Sequence, residues 1–139
     1  MSIWARNRED GGMSPDPSSA EPMTSALLPG RVGLFVRLAA HPGGRTGLLD
    51  ALNTYADQIA VEPNTEAFVI ALDPEDEDIV WLYEWFTDEA ALEAHRLSEP
   101  FTELVAAIPD MLAAPPGLLR IDPLRVDLQT AVLDENAAL

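Results

Sequence analysis

Two histidines occur in this 139-residue chain, His41 and His95, and only His95 stands where the sequence offers it a partner. It closes the run Tyr83-Glu84-Trp85-Phe86-Thr87-Asp88-Glu89-Ala90-Ala91-Leu92-Glu93-Ala94-His95, in which an apolar strand passes directly into a helix. Strand side chains alternate between faces, so Leu82, Glu84 and Phe86 share one. A lone carboxylate in that company carries a desolvation cost unless something pairs with it. His95, two turns into the following helix and facing the sheet, is placed to reach it. Two roles are open to His95. Imidazole titrates near neutrality and could deprotonate a phenolic substrate; equally, it could be a structural histidine hydrogen-bonded to Glu84 or to backbone. Phe35, Phe86 and Phe101 could line a flat apolar cavity between sheet and helices, suited to a polycyclic aromatic or a quinol, or could simply pack the core. His41, in a turn before the first helix, is expected to face solvent; Arg37 could meet an oxyanion, but in so acidic a chain an ion pair is the expectation.

Several other chemistries lack their parts. The chain has no cysteine, which removes thiolate catalysis, disulfides and cysteine-held metals. It has no glycine-rich phosphate loop, no Gly-x-Ser-x-Gly elbow and no His/Asp/Glu set at metal-ligand spacing, so nothing in it calls for a nucleotide cofactor, a serine nucleophile or a metal. Acidic residues number 24 against 8 basic ones, none of them lysine, for a formal charge of −16. Such a field repels phosphate backbones and anionic lipid, so neither nucleic acid nor membrane is an expected partner. No window approaches the roughly 18 to 20 apolar residues of a membrane span, and the first residues lack the apolar segment of a secretory signal. A cytoplasmic location is the resulting expectation.

The elements that must position His95 and Glu84 follow from periodicity. Residues 1–29, rich in Gly, Pro, Ser and charge, have little to bury and are expected to be a disordered leader. With 47% hydrophobic residues overall, the remainder has enough apolar surface for one domain, residues 30–128, followed by a tail, 129–139. Within it, Arg31 to Ala39 reads as a strand closed by the turn His41-Pro42-Gly43-Gly44, and Leu48, Leu49, Leu52, Tyr55, Ala56 and Ile59 recur at helical spacing over about Thr46 to Ala60. Thr65 to Leu72 and Ile79 to Phe86 read as strands joined by an acidic turn too short for a crossover, and hence antiparallel. Thr87 or Asp88 is placed to cap the helix that carries His95. That helix should break near Ser98-Glu99-Pro100, resume from Phe101 to about Leu112, and give way to a last strand over Leu118 to Leu128.

The order β-α-β-β-α-β is the ferredoxin-like, split βαβ arrangement, an α+β fold with two helices on one face of a four-stranded antiparallel sheet. Apolar residues occupy both strand faces, and Trp81, Tyr83 and Trp85 form an aromatic stripe opposite Glu84. The helix-free face therefore needs a second layer, which another copy of the same sheet would supply as a homodimer.

The wording of the strand-to-helix run resembles that of the antibiotic biosynthesis monooxygenase-like family, small dimeric α+β barrels that include cofactor-independent quinol monooxygenases. Glu84, Phe86, Asp88, Ala91 and His95 match its pattern, as do His41-Pro42-Gly43, Glu62-Pro63-Asn64, Ser98 and Phe101, over roughly Arg31 to Val126. One departure is Pro100, where many members carry a second histidine immediately before the phenylalanine. Haem-degrading relatives place a ligating histidine a few residues after the position of Phe101, where this chain has Val105. The resemblance implies a dimer, a small aromatic or quinol-like ligand, catalytic roles for His95 and Glu84, and no cofactor; substrate contacts from Phe35, Phe86 and Phe101 are expected from their residue type and the cavity they could line. The expected activity is oxidation of a quinol, anthrone or similar phenol by O₂; the alternative is a non-catalytic dimeric barrel that binds a small apolar ligand or serves a stress or regulatory role.

Overall fold

The structure, a computed structural model, describes residues 23–129, and these fall into two compact units. One holds a two-stranded sheet of β1 (Met23–Leu27) and β6 (Arg125–Gln129), in which the Ser25 hydroxyl donates to the Asp127 carboxylate. The other, Leu27–Arg125, holds β2 (Val32–Ala39), α1 (Arg45–Ala56), β3 (Thr65–Leu72), β4 (Ile79–Phe86), α2 (Glu89–Leu97), α3 (Glu99–Ala107) and β5 (Gly117–Arg120). Its four strands form one sheet in the order β3-β4-β2-β5, every neighbouring pair antiparallel. This is the ferredoxin-like α+β arrangement expected from the sequence. Among the described residues no helix is long and apolar enough to cross a membrane.

β4 is an unbroken β-branched and aromatic run apart from Leu82 and Glu84, and it takes an inner position with both edges paired. The two-residue period sends Val36, Leu38, Val80 and Leu82 to the helix side, where they meet Leu48, Leu52 and Tyr55 of α1 and Leu104 of α3 in one buried cluster. A second cluster joins Val32 and Phe86 to Ala91 and Leu92 of α2. It anchors the helix that carries His95 directly on the end of β4.

Local chemistry fixes where that helix begins and ends. Of the two expected caps the chain uses Asp88, whose carboxylate accepts the Ala91 N–H at 2.8 Å, with Glu89 beside it at the positive end of the helix dipole. Ser98 separates α2 from α3. Its hydroxyl donates to the His95 carbonyl at 2.8 Å and accepts the Phe101 N–H at 3.3 Å. Pro100 sits in the first turn of α3, where its missing N–H has no intrahelical partner to lose.

Four boundaries depart from the sequence expectation. α1 stops at Ala56 and a 3-10 turn at Ile59–Val61 replaces the expected last turn. α3 starts at Glu99 because Ser98 caps it, and ends at Ala107, with Pro109 opening a 3-10 turn. The strand expected over residues 118–128 is divided between β5 and β6, which belong to different sheets. At the division the Ile121 N–H bonds to the Gly33 carbonyl, the Asp122 carboxylate accepts the Gly33 N–H at 3.0 Å, and Pro123 has no N–H with which to extend a ladder. Finally, Met23–Leu27, expected within a disordered leader, form β1. The earlier part of that leader and the tail beyond Gln129 lie outside the described residues.

Candidate functional site

Between the helix side of the sheet and helices α1 to α3 lies a cavity of about 640 Å³, within the usual range for small-molecule sites. Its wall is apolar, with Leu34, Val36, Phe68, Leu82, Phe101 and Leu118 on it, and the polar side chains there are Tyr55, Glu84, His95 and Arg96. Glu84 points to this side because it alternates with Leu82 and Phe86 on β4, and its Cα partners are Leu34 on β2 and Phe68 on β3.

His95 is 3% exposed and held from several directions. Its Nδ1 lies 2.7 Å from Glu62 Oε1 and 3.0 Å from the Tyr55 hydroxyl. The same Glu62 oxygen accepts from the Tyr55 hydroxyl at 3.2 Å and from the Thr65 hydroxyl at 3.1 Å. Rings enclose the imidazole, with Phe101 at 4.2 Å and Phe86 at 4.9 Å between centroids. The free edge, Nε2, faces Glu84, whose Oε1 stands 3.8 Å away, beyond hydrogen-bond length.

Burial dominates the electrostatics. It pushes the Glu84 carboxyl up to about 7, and the negative charge of Glu62 adds to the shift. Near neutrality Glu84 is therefore divided between an acceptor and a donor form. Burial lowers the His95 imidazole, opposed in part by its hydrogen bond to Glu62, so the ring is neutral at neutral pH and able to take a proton. Burial, then the charge of Glu62, raise the Tyr55 hydroxyl, which stays protonated. A basic nitrogen and a carboxyl that can carry a proton thus stand side by side against an apolar wall, an arrangement able to bind and deprotonate a phenol.

The structure brings together His95, Glu84 and Phe101, all on the cavity wall. Phe86 is fully buried behind His95, packed with Val32, Ala91 and Leu92. Phe35 goes elsewhere. It lies on the opposite sheet face, 5.3 Å from the Trp81 ring and 6.2 Å from that of Tyr83, because the strand period puts Leu34 and Val36 on the cavity side. His41 is exposed, as expected, and the Arg37 guanidinium lies 6.0 Å from the centre of the Trp81 ring on the helix-free face.

The expected partner of His95 was Glu84; its hydrogen bonds go to Glu62 and Tyr55 instead. Sequence reasoning placed Tyr55 only as a helix-face residue and Glu62 only within the Glu62-Pro63-Asn64 turn. Nothing in the spacing marks the pair: Glu62 lies seven residues after Tyr55 and three before β3, and it is the fold that brings both side chains to His95. Among the described residues no group of three or more His, Asp or Glu is arranged to hold a metal ion.

A family model described as antibiotic biosynthesis monooxygenase matches residues 31–107, from the start of β2 to the end of α3. No curated protein matches the chain. Among solved structures, Rv0793 from Mycobacterium tuberculosis is similar at 21% identity over 68% of this chain and 95% of its own, with a TM-score of 0.62. PA3566 from Pseudomonas aeruginosa is similar at 20% identity over 71% of this chain and 99% of its own, with a TM-score of 0.63. NE2512, a protein of unknown function from Nitrosomonas europaea, has 29% identity over 68% of this chain and 89% of its own, with a TM-score of 0.59. These likenesses carry the fold.

Proposed function

The chain belongs to the antibiotic biosynthesis monooxygenase family, and from that premise we propose that it oxidises a quinol, anthrone or similar phenolic compound with O₂ and without a cofactor. The observation that supports this most directly is the free Nε2 edge of His95 beside Glu84 on the wall of an apolar cavity. In this reading His95 takes the proton of the substrate hydroxyl, and the resulting anion, shielded from water, is electron-rich enough to pass an electron to O₂. Carbon–oxygen bond formation and cleavage of the O–O bond place one oxygen atom in the product. The other leaves as water with two hydrogens from the substrate, which supplies all the electrons itself. Glu84, protonated in part near neutrality, returns a proton to the departing oxygen.

The same reading makes the protein a homodimer through its helix-free sheet face. That face carries Trp81, Tyr83 and Trp85, with Tyr83 and Trp85 5.9 Å apart between ring centres. The neighbouring Val69 and Leu119 are 48% and 58% exposed. Apolar area of this kind favours burial against a second sheet.

The test is oxygen consumption by the metal-free protein against a panel of hydroquinones and anthrones. Turnover with at least one member is expected, and His95→Gln should lower it by about 10²-fold or more, the usual scale for a general base. A folded His95→Gln protein with full activity would exclude the base role. Inactivity of the wild type across the panel would leave the non-catalytic, ligand-binding barrel as the better reading.

A further inference from the structure

Which nitrogen of His95 carries its proton decides whether the ring can act on the cavity at all, since Nε2 is the edge that faces Glu84. A contact of 2.7 Å between Nδ1 and Glu62 Oε1 requires one proton between the two atoms. If the proton belongs to Nδ1, Nε2 is bare and basic. If it belongs to Glu62, the neutral ring must carry its own proton on Nε2 and has nothing to offer a substrate hydroxyl.

We propose that Glu62, supported by Tyr55 and Thr65, is the positioning residue of the site: it holds the proton of His95 on Nδ1 and so presents a bare Nε2 to the cavity. The ownership of that proton follows from the neighbours. Oε1 of Glu62 receives the Tyr55 hydroxyl at 3.2 Å and the Thr65 hydroxyl at 3.1 Å in addition to the His95 contact. An oxygen that already accepts two hydroxyl hydrogens acts towards the ring as a carboxylate acceptor, so the proton of the 2.7 Å contact sits on Nδ1, and the Tyr55 oxygen, 3.0 Å from Nδ1 with its own hydrogen given to Glu62, stands beside it as a second acceptor. The other Glu62 oxygen, Oε2, is buried with no hydrogen-bond partner among the described residues, so the interactions of the group converge on the single oxygen that faces the ring. Glu62 does not itself line the cavity, whereas Tyr55, Glu84 and His95 do. It therefore acts through His95, as a carboxylate behind an imidazole fixes its tautomer and orientation. Burial opposes protonation of the ring while Glu62 favours it, which keeps the imidazolium formed during turnover accessible.

This inference rests on the base role given to His95, and ring-nitrogen NMR of the full chain separates the two. Histidine-labelled wild type at neutral pH should show one ring nitrogen of His95 bonded to hydrogen at Nδ1 and a bare Nε2, with the signals of His41 identified by their retention in His95→Gln. Glu62→Gln keeps the shape but is a weaker acceptor. It should shift the population towards the Nε2–H form, lower the pH at which the ring titrates, and reduce kcat by about tenfold or more with KM little changed. Glu62→Asp, whose shorter arm withdraws the carboxylate from Nδ1, should move the tautomer in the same direction while leaving a charge in place. Melting curves confirm that each variant is folded. A wild type with its proton on Nε2, or folded Glu62 variants whose tautomer and ring titration match the wild type, would overturn the inference. Failure of the activity reading looks different, as a wild type inactive across the panel with the Nδ1–H tautomer intact.

Discussion

Glu84→Gln tests whether the protein holds a carboxyl partly protonated against its apolar cavity. Glu84 is 7% exposed, and burial, with the charge of Glu62, raises it from the ordinary 4.5 to about 7. An acid raised in this way binds its proton more readily in the folded than in the unfolded chain. It therefore favours folding at low pH, and that advantage is lost as pH rises from the unfolded value through the folded one. At about 1.4 kcal/mol per unit the whole span is worth roughly 3 kcal/mol, most of which falls between pH 5 and pH 8. Glutamine has nearly the same shape and does not titrate. The stability of Glu84→Gln relative to wild type should therefore increase by about 2–3 kcal/mol between those two pH values, measured by urea unfolding with linear extrapolation at each. His95 works in the opposite sense: its lowered folded value makes stability rise with pH towards the ordinary 6.5. Both proteins carry it, and its lowering comes chiefly from burial that the isosteric glutamine leaves in place, so most of its contribution cancels in the difference. A variant whose stability tracks that of the wild type in parallel across this range would refute the reasoning, because Glu84 would then titrate alike in folded and unfolded chains.

A Cβ at Gly33 would lie 2.0 Å from the Ile121 carbonyl oxygen and 2.9 Å from the Tyr83 hydroxyl; Gly33→Ala should cost about 1–3 kcal/mol in urea unfolding, and an unchanged midpoint would show that the strand gives way freely. Asp88→Ala removes the cap of α2 and should cost about 1 kcal/mol, read by thermal unfolding, whereas Asp88→Asn should recover most of it. Tyr83→Asp, on the helix-free face, should turn a dimer into a monomer by light scattering; an unaltered dimer would place the interface elsewhere.

The fold was legible because its signals are local and mutually consistent. The apolar runs of β2, β3 and β4, the cap before α2 and the short acidic turn each restrict the chain to one choice, and together they leave the split βαβ order. The division of the last strand was marked in the sequence by Asp122-Pro123 but masked by the apolar residues on either side, and it is the pairing that assigns β5 and β6 to different sheets. At the site, His95 and Glu84 could be picked out because a polar residue on an apolar face demands an explanation. Glu62 could not. It sits in a turn where an acid is unremarkable in sequence, and its partnership with His95 depends on how α1 and α2 meet across the end of the sheet. Phe35 fails for the opposite reason: its ring suits a cavity, but the two-residue period already puts it on the other face with Trp81, and parity along β2 outweighs side-chain type.

The most direct test of the account is the fate of labelled oxygen. Metal-free wild-type protein, supplied with a hydroquinone or anthrone that it turns over under ¹⁸O₂, is predicted to yield product carrying one labelled atom per molecule by mass spectrometry, with the other recovered as water and with the label nearly abolished in His95→Gln. Product formed without label, or labelled equally by folded His95→Gln, would contradict the claim that this cavity carries out a monooxygenation with His95 as its base.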